Sequence, residues 1–155
     1  MSNATQARST GQSRLQRIGD AVVGFLLRSP LHPLLSGRLL LITVIGRKTG
    51  REYTNPVGYA EYGGRIIIGT RANWRRNVRP SVPVRIVLRG KELQADAEVI
   101  TDFERLTDLY SVILRRNPTH GKFAQVSLTS DGSVDHDQLR RAIERGTSVV
   151  RLSPR

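Results

Sequence analysis

The residues best suited to chemistry form a short basic turn, Gly46 to Arg51, which holds three cations and one threonine around two glycines. Glycine lets backbone N–H groups approach an anion closely, and Arg and Lys supply charge-assisted hydrogen bonds to phosphate or carboxylate. The spacing is not that of a P-loop, and no helix pattern follows it. The turn therefore predicts either an anion-binding loop or an exposed hairpin with solvated charges.

A second cluster lies in the segment from Thr70 to Arg79, which contains the only tryptophan, Trp74, together with four arginines and two asparagines. A loop at a strand end can give a planar anionic ligand an aromatic wall, polar donors and positive charge. The same composition fits a single-stranded nucleic acid, although 5% aromatic residues is low for a dedicated binder. Trp74 as a core anchor is the third interpretation.

Other kinds of site are disfavoured by residue type and spacing. The histidines His32, His120 and His136 show no metal-ligand spacing, so we expect no metal. The sequence has no cysteine, which excludes a disulfide framework and a thiolate nucleophile. It also lacks a Gly-x-Ser-x-Gly elbow, which disfavours a serine hydrolase.

The charge of this chain points to an anionic partner. Its 155 residues carry 25 Lys and Arg against 13 Asp and Glu, a formal net charge of +12. Such a field attracts nucleic acid, an anionic membrane surface or a multiply charged small cofactor, and composition does not choose among them. No apolar run reaches the roughly 18 residues that a membrane span needs, and we expect a cytoplasmic protein.

We expect a disordered arm over residues 1–12 and one domain over residues 13–155. The domain opens with an amphipathic helix from Ser13 to Arg28. The later patterns predict strands at 39–45, 52–61, 65–70, 82–88, 92–99, 123–129 and 147–152. The first three of these strands are expected to form a meander, and the acidic face of the fifth (Glu92, Asp96, Glu98) is expected to be solvated surface.

Helix signals alternate with these strands in the second half of the chain. Thr101 to Glu104 has the spacing of a capping box before a helix that reaches about Arg116. A turn over 117–121 and a short helix over 135–145, closed by Gly146, follow. Antiparallel strands with helices around them predict an α+β barrel.

The two basic segments, in this order, resemble the deazaflavin-dependent nitroreductase and quinone reductase family. The resemblance covers about residues 31–100 and rests on the turn Gly46 to Gly50, Asn55-Pro56, Thr70-Arg71, and Trp74 three residues before Asn77. It implies a split β-barrel related to the flavin-binding pyridoxamine-phosphate-oxidase-like fold. It also implies a dimer by analogy.

The resemblance further implies coenzyme F(420), an 8-hydroxy-5-deazaflavin, as the cofactor, and hydride transfer to a small acceptor such as a quinone or nitro compound. The residues implied as contacts to its anionic tail are Arg47, Lys48, Thr49, Gly50, Arg51 and Arg71. Thr70, Trp74 and Asn77 are expected nearer the ring, and Asn55 completes the set. Tyr59 or Thr70 is the candidate hydrogen-bond donor to the substrate.

Several departures from the family keep alternatives open. Tyr53 stands where members often carry a basic residue, and their tyrosine-rich C-terminal stretch is missing. An FMN- or FAD-binding protein, or a non-catalytic carrier, on the same barrel is therefore the second hypothesis. A basic nucleic-acid binder is the third, and peripheral membrane contact through the N-terminal helix is compatible with each.

Overall fold

The computed structural model describes residues 39–155, which form one antiparallel sheet with three α-helices packed on one of its faces. The expected arm over 1–12 and the helix from Ser13 to Arg28 lie outside the described residues. The strands are β1 (Leu39–Ile45), β2 (Glu52–Gly58), β3 (Ala60–Tyr62), β4 (Arg65–Thr70), β5 (Val84–Leu88), β6 (Lys91–Ile100) and β7 (Ser148–Pro154). The helices are a 3-10 helix (Asn73–Asn77), α1 (Phe103–Arg116), α2 (Pro118–Ala124) and α3 (His136–Glu144).

The seven strands follow the order β2-β1-β5-β6-β7-β4-β3. Side chains alternate between the two faces of the sheet, and β4, β6 and β7 contribute to a core on each face. We call the first the inner core: Leu40, Ile42, Val44, Tyr59, Ile66, Ile68, Trp74, Val78, Val84, Ile86, Ala95, Val150 and Leu152. The second lies between the opposite face and the helices and includes Ile67, Leu106, Tyr110, Ile113, Leu139 and Val149.

The predicted strand 52–61 is in fact two strands that pair at different ends of the sheet. β2 pairs with β1, whereas β3 pairs with β4. The break falls at Tyr59, which is buried in the inner core. β2 also contacts β4, which is not its neighbour in the strand order, so the sheet curls back on itself. The expected meander was therefore wrong, because an unbroken run of strand-forming residues does not reveal where a strand changes partner.

The segment after α1 also differs from the expectation of a turn at 117–121 and a strand at 123–129. Pro118 stands at the first position of α2, where its missing N–H costs no hydrogen bond. Gln125 ends the helix in the left-handed conformation, with φ of 56°. In place of the predicted strand 123–129, the structure has only a single bridge between Leu128 and Val134.

The helix predictions that ended at about Arg116 and covered 135–145 are confirmed, with one change at a cap. Helix α1 buries Leu106, Tyr110 and the neighbouring pair Ile113 and Leu114 on one face, as its periodicity predicts. Its cap is Asp102 instead of Thr101, since the Asp102 carboxylate accepts a hydrogen bond from the Arg105 N–H at 3.1 Å. Helix α3 ends before Gly146, which has φ of 97°.

The acidic face of β6 is solvent-exposed, as expected, and its carboxylates are in addition paired with arginines. Glu98 accepts hydrogen bonds from Arg105 at 2.8 Å and from Arg151. Asp96 pairs with Arg155 at 2.7 Å, and Glu92 lies 3.6 Å from Arg85. The alternation of β6 placed these carboxylates correctly on one face, but their partners come from β5, β7, α1 and the C-terminal residue. We call this set of seven residues the paired face.

Candidate anion-binding groove

The basic turn between β1 and β2 faces the 3-10 helix across a groove of about 510 Å³. Three of the residues that line it are cations and none is acidic. We call it the basic groove; its lining residues are Gly46, Arg47, Lys48, Thr49, Tyr53, Asn73, Arg76 and Asn77. A concave surface with this composition attracts an anion.

The shape of the turn depends on close contacts around Gly46. The Gly46 N–H donates to the Arg51 carbonyl at 2.8 Å, and the Gly50 N–H donates to the Gly46 carbonyl at 2.9 Å. A Cβ at Gly46 would lie 2.7 Å from both Thr49 Oγ1 and Tyr53 Cε2, so a larger residue does not fit. The Thr49 and Tyr53 hydroxyls are hydrogen bonded at 3.1 Å, which holds the tyrosine ring against the turn.

The opposite wall is anchored in the barrel. Trp74 and Val78, which are 8% and 5% exposed, belong to the inner core and fix the 3-10 helix to it. Arg75 folds back to donate hydrogen bonds to the carbonyls of Arg71 and Ala72, both at 2.8 Å. Partial burial, and then the neighbouring charge of Arg76, lowers the pKa of Arg75.

The predicted site residues fall into two groups. Arg47, Lys48, Thr49 and Asn77 line the basic groove together. Gly50 and Arg51 belong to the same turn but do not line the groove, and Gly50 adopts a left-handed conformation with φ of 66°.

The remaining candidates lie outside the groove. Arg71 is exposed at the end of β4 and is absent from the groove lining. The Thr70 hydroxyl accepts a hydrogen bond from the Ala72 N–H at 3.0 Å. Trp74 and Tyr59 are both buried in the inner core. The cation expected to join Lys48 in one cradle was Arg71, and this is wrong for the groove: the cation that lines it with Lys48 is Arg76, five residues later.

Three lining residues were not predicted from the sequence: Tyr53, Asn73 and Arg76. A 3-10 helix has three residues per turn, so Asn73 and Arg76 lie on the same side of it. That spacing was visible in the sequence, although the helix type was not. Tyr53 was noted as a departure from a family pattern and is instead part of the wall.

The amide nitrogen Nδ2 of Asn55 is buried and has no hydrogen-bond partner. It is the one such side-chain atom among residues 39–155. Asn55 lies opposite Ile42 in the β1–β2 register, on the face that Val57 packs against the inner core. Tyr53 is two residues away on the same strand and therefore on the same face. A buried unpaired donor costs about 1–3 kcal/mol, so an acceptor from a ligand at this position would be favourable.

A tyrosine–histidine pair lies behind β4, with Tyr110 buried and His120 partly buried. The Tyr110 hydroxyl and His120 Nε2 are 3.3 Å apart, and a Cβ at Gly69 would lie 2.8 Å and 2.6 Å from these two atoms. Burial raises the pKa of Tyr110 and lowers the pKa of His120 to about 4. Both groups are therefore neutral at pH 7, and they contact the strand that ends at Thr70.

Comparison with known families decides what this barrel is. The model of the F420H(2)-dependent quinone reductase family matches residues 28–129, which is most of the chain. The chain belongs to that family. It is accordingly an oxidoreductase and a deazaflavin-dependent reductase, as the resemblance of the two basic segments implied.

Solved structures of similar shape agree with this family's fold. An F420-H2 dependent reductase is 16% identical, with 75% of this chain and 94% of that chain covered and a TM-score of 0.52. A 5-nitroimidazole antibiotic resistance protein of Bacteroides thetaiotaomicron is 12% identical, with 82% and 79% covered and a TM-score of 0.51. A chain described as a domain-swapped dimer is 16% identical, with 75% and 80% covered and a TM-score of 0.51. At these identities the likeness concerns the fold alone, and the predicted α+β split β-barrel is confirmed.

Metal-binding clusters and membrane-spanning helices are both absent from residues 39–155. No group of three or more His, Cys, Asp or Glu side chains in this range could hold a metal ion. Within the same range, the helices are too short or too polar to cross a membrane.

Proposed function

We propose that this reductase binds coenzyme F(420) with its anionic tail in the basic groove and reduces a small organic acceptor such as a quinone or a nitro compound. The observation that carries the proposal is the convergence of Arg47, Lys48 and Arg76 on one groove that no described carboxylate lines. A tail with a phosphodiester and several glutamates is strongly anionic, so this groove would concentrate it.

The orphaned amide of Asn55 supports the fit of such a cofactor. Its Nδ2 is buried on the inner face of β2. Tyr53, two residues away on the same face of this strand, lines the groove. A deazaflavin ring carries carbonyl oxygens that accept hydrogen bonds, and one of them would satisfy this donor. We therefore propose that the ring binds on the inner face beside Asn55 while the tail lies along the turn.

The bound cofactor would supply a hydride, and the chain would supply orientation and a dry surface. The apolar inner core behind the 3-10 helix, with Trp74 and Val78, excludes water from the base of this wall. The Thr70 oxygen already accepts a hydrogen bond from Ala72, which leaves its O–H free to donate to an acceptor molecule. Thr70 is therefore our candidate for that role ahead of Tyr59, which is buried in the inner core.

A titration with oxidised coenzyme F(420), FMN and FAD in parallel tests the assignment. We expect a fluorescence change with coenzyme F(420) at low salt and weaker binding as salt rises. Tight binding of FMN or FAD without binding of the deazaflavin would contradict the proposal. Turnover with a quinone or a nitro compound and the reduced cofactor then identifies the acceptor class.

The Asn55→Leu variant tests the ring position. Leucine removes a buried donor without a partner, so we expect unchanged or higher stability together with about tenfold weaker cofactor binding. Thr54→Val on the opposite face of the same strand is the control, since Thr54 is hydrogen bonded to Thr43 at 2.8 Å and we expect it to leave binding unchanged. Equal binding by the Asn55→Leu variant and the wild type would remove Asn55 from the site.

We also propose a homodimer, supported by the solved chain of the same fold that is described as a domain-swapped dimer. Light scattering after gel filtration gives the mass directly. A mass of one chain of 17.3 kDa at micromolar concentration would contradict this proposal.

A further inference from the structure

Arg47 donates two hydrogen bonds to the protein itself. Its backbone N–H donates to Asn77 Oδ1 at 3.2 Å, and its guanidinium Nη2 donates to the Val78 carbonyl at 3.1 Å. Both acceptors lie at the end of the 3-10 helix, about thirty residues away in the sequence. One residue thus joins the two walls of the basic groove.

This link determines where the turn lies. Val78 is buried in the inner core, so its carbonyl is a fixed point of the barrel. The turn itself projects beyond β1 and β2, and residues 47–51 are exposed. The two hydrogen bonds of Arg47 therefore attach an exposed turn to a rigid element, which lowers the entropy lost when a ligand binds.

The other two groove cations have no such bonds. Lys48 and Arg76 form no side-chain hydrogen bond or ion pair with any residue in 39–155, and both line the groove. Both side chains are therefore not held in place by residues 39–155, in contrast to the guanidinium of Arg47, which donates to a carbonyl.

We propose that Arg47 is a positioning residue that holds the turn against the 3-10 helix, and that Lys48 and Arg76 are the cations that meet the anionic tail. This inference rests on the proposed function for the identity of the ligand, but the link itself belongs to the protein without cofactor. Preorganisation and charge attraction respond differently to salt, because only the second is screened.

The test compares Arg47→Lys with Lys48→Gln. Arg47→Lys keeps the charge but shortens the side chain and loses the planar guanidinium that reaches Val78. We expect about tenfold weaker binding of oxidised coenzyme F(420), both at low salt and near 1 M salt. Lys48→Gln is expected to weaken binding about tenfold at low salt and to approach the wild type near 1 M, where the Debye length is about 3 Å.

Amide hydrogen exchange in the cofactor-free protein gives a second readout. We expect faster exchange at residue 47 and at Gly50 in Arg47→Lys, and unchanged exchange there in Lys48→Gln. Asn77→Ala, which removes the acceptor of the residue 47 N–H, should reproduce the faster exchange at residue 47. Thermal unfolding shows whether each variant is folded.

Wild-type binding and exchange in Arg47→Lys would overturn the inference, since Arg47 would then act by charge alone. Absence of coenzyme F(420) binding in the wild type would refute the proposed function instead, and the exchange comparison would still show whether Arg47 fixes the turn. The two failures are therefore distinguishable.

Discussion

Cations at two regions of this molecule differ in what faces them. On the paired face, each arginine lies against a carboxylate of β6, as Arg155 does with Asp96 at 2.7 Å. In the basic groove, Lys48 lies on one wall and Arg76 on the other, and no acidic residue of the range 39–155 lines the groove. The same residue types thus stabilise the sheet in one place and leave positive charge unmatched in the other.

The contrast shows why a net charge of +12 says little by itself about ligand binding. An arginine whose charge is matched by a carboxylate contributes little to the field that an approaching anion feels. Most of the attraction therefore comes from the cations that lack partners. The attraction for an anion is therefore expected at the basic groove, where cations have no acidic neighbours.

The largest expected effect tests this contrast directly. The double variant Lys48→Gln/Arg76→Gln should bind coenzyme F(420) about 100-fold more weakly at low salt, which corresponds to about 2.7 kcal/mol. The control Arg89→Gln/Arg155→Gln also removes two positive charges, but these are paired with Glu61 and Asp96. We expect it to change the affinity for the cofactor less than twofold. Cofactor fluorescence titration measures both. Equal losses would show that total charge governs binding.

The sequence predicted the local elements of the fold well. The apolar run of β1, the alternation of β6 and the helical periodicity of α1 are local patterns, and these elements appear where expected. The basic turn could be named as a candidate anion-binding loop because its charges and glycines are contiguous. Such signals lie within a few residues of one another.

The features that were missed depend on residues distant in sequence. Nothing near Tyr59 signals that β2 and β3 pair with opposite ends of the sheet. Arg76 became a groove residue, and Arg71 did not, because the 3-10 helix turns the chain after β4. The bond from Arg47 to the Val78 carbonyl spans 31 positions and follows only from the curl of the barrel.

His120 is a third case, because the fold keeps this titratable side chain neutral at pH 7. Burial lowers its pKa to about 4 from an ordinary value of 6.5, so the unfolded chain binds more protons between these values. Stability is fully present above pH 6.5 and falls as the pH drops towards 4. We expect a loss of about 2 kcal/mol between pH 7 and pH 5.

Denaturant unfolding of His120→Gln across that pH range measures the contribution. The variant should lose this part of the pH dependence, whereas His136→Gln, which changes an exposed imidazole on α3, should keep it. A wild-type slope in the His120→Gln variant would show that protonation of His120 is compatible with the fold.

The smallest expected effect concerns the paired face itself. The hydrogen bond from Arg105, followed by the charge of Arg151, lowers the pKa of Glu98 against the opposing effect of partial burial. Glu98→Gln should therefore cost about 1 kcal/mol of unfolding free energy at pH 7, the scale of half-exposed ion pairs. The difference from the wild type should disappear as the pH falls through the lowered pKa of Glu98, because the wild-type carboxyl is then neutral too.

Asp108→Asn removes a charge that has no ion-pair partner among residues 39–155, and we expect a change below about 0.5 kcal/mol. If Glu98→Gln cost no more than Asp108→Asn, the arginines of the paired face would be as available to an anion as those of the groove, and the contrast between the two regions would fail.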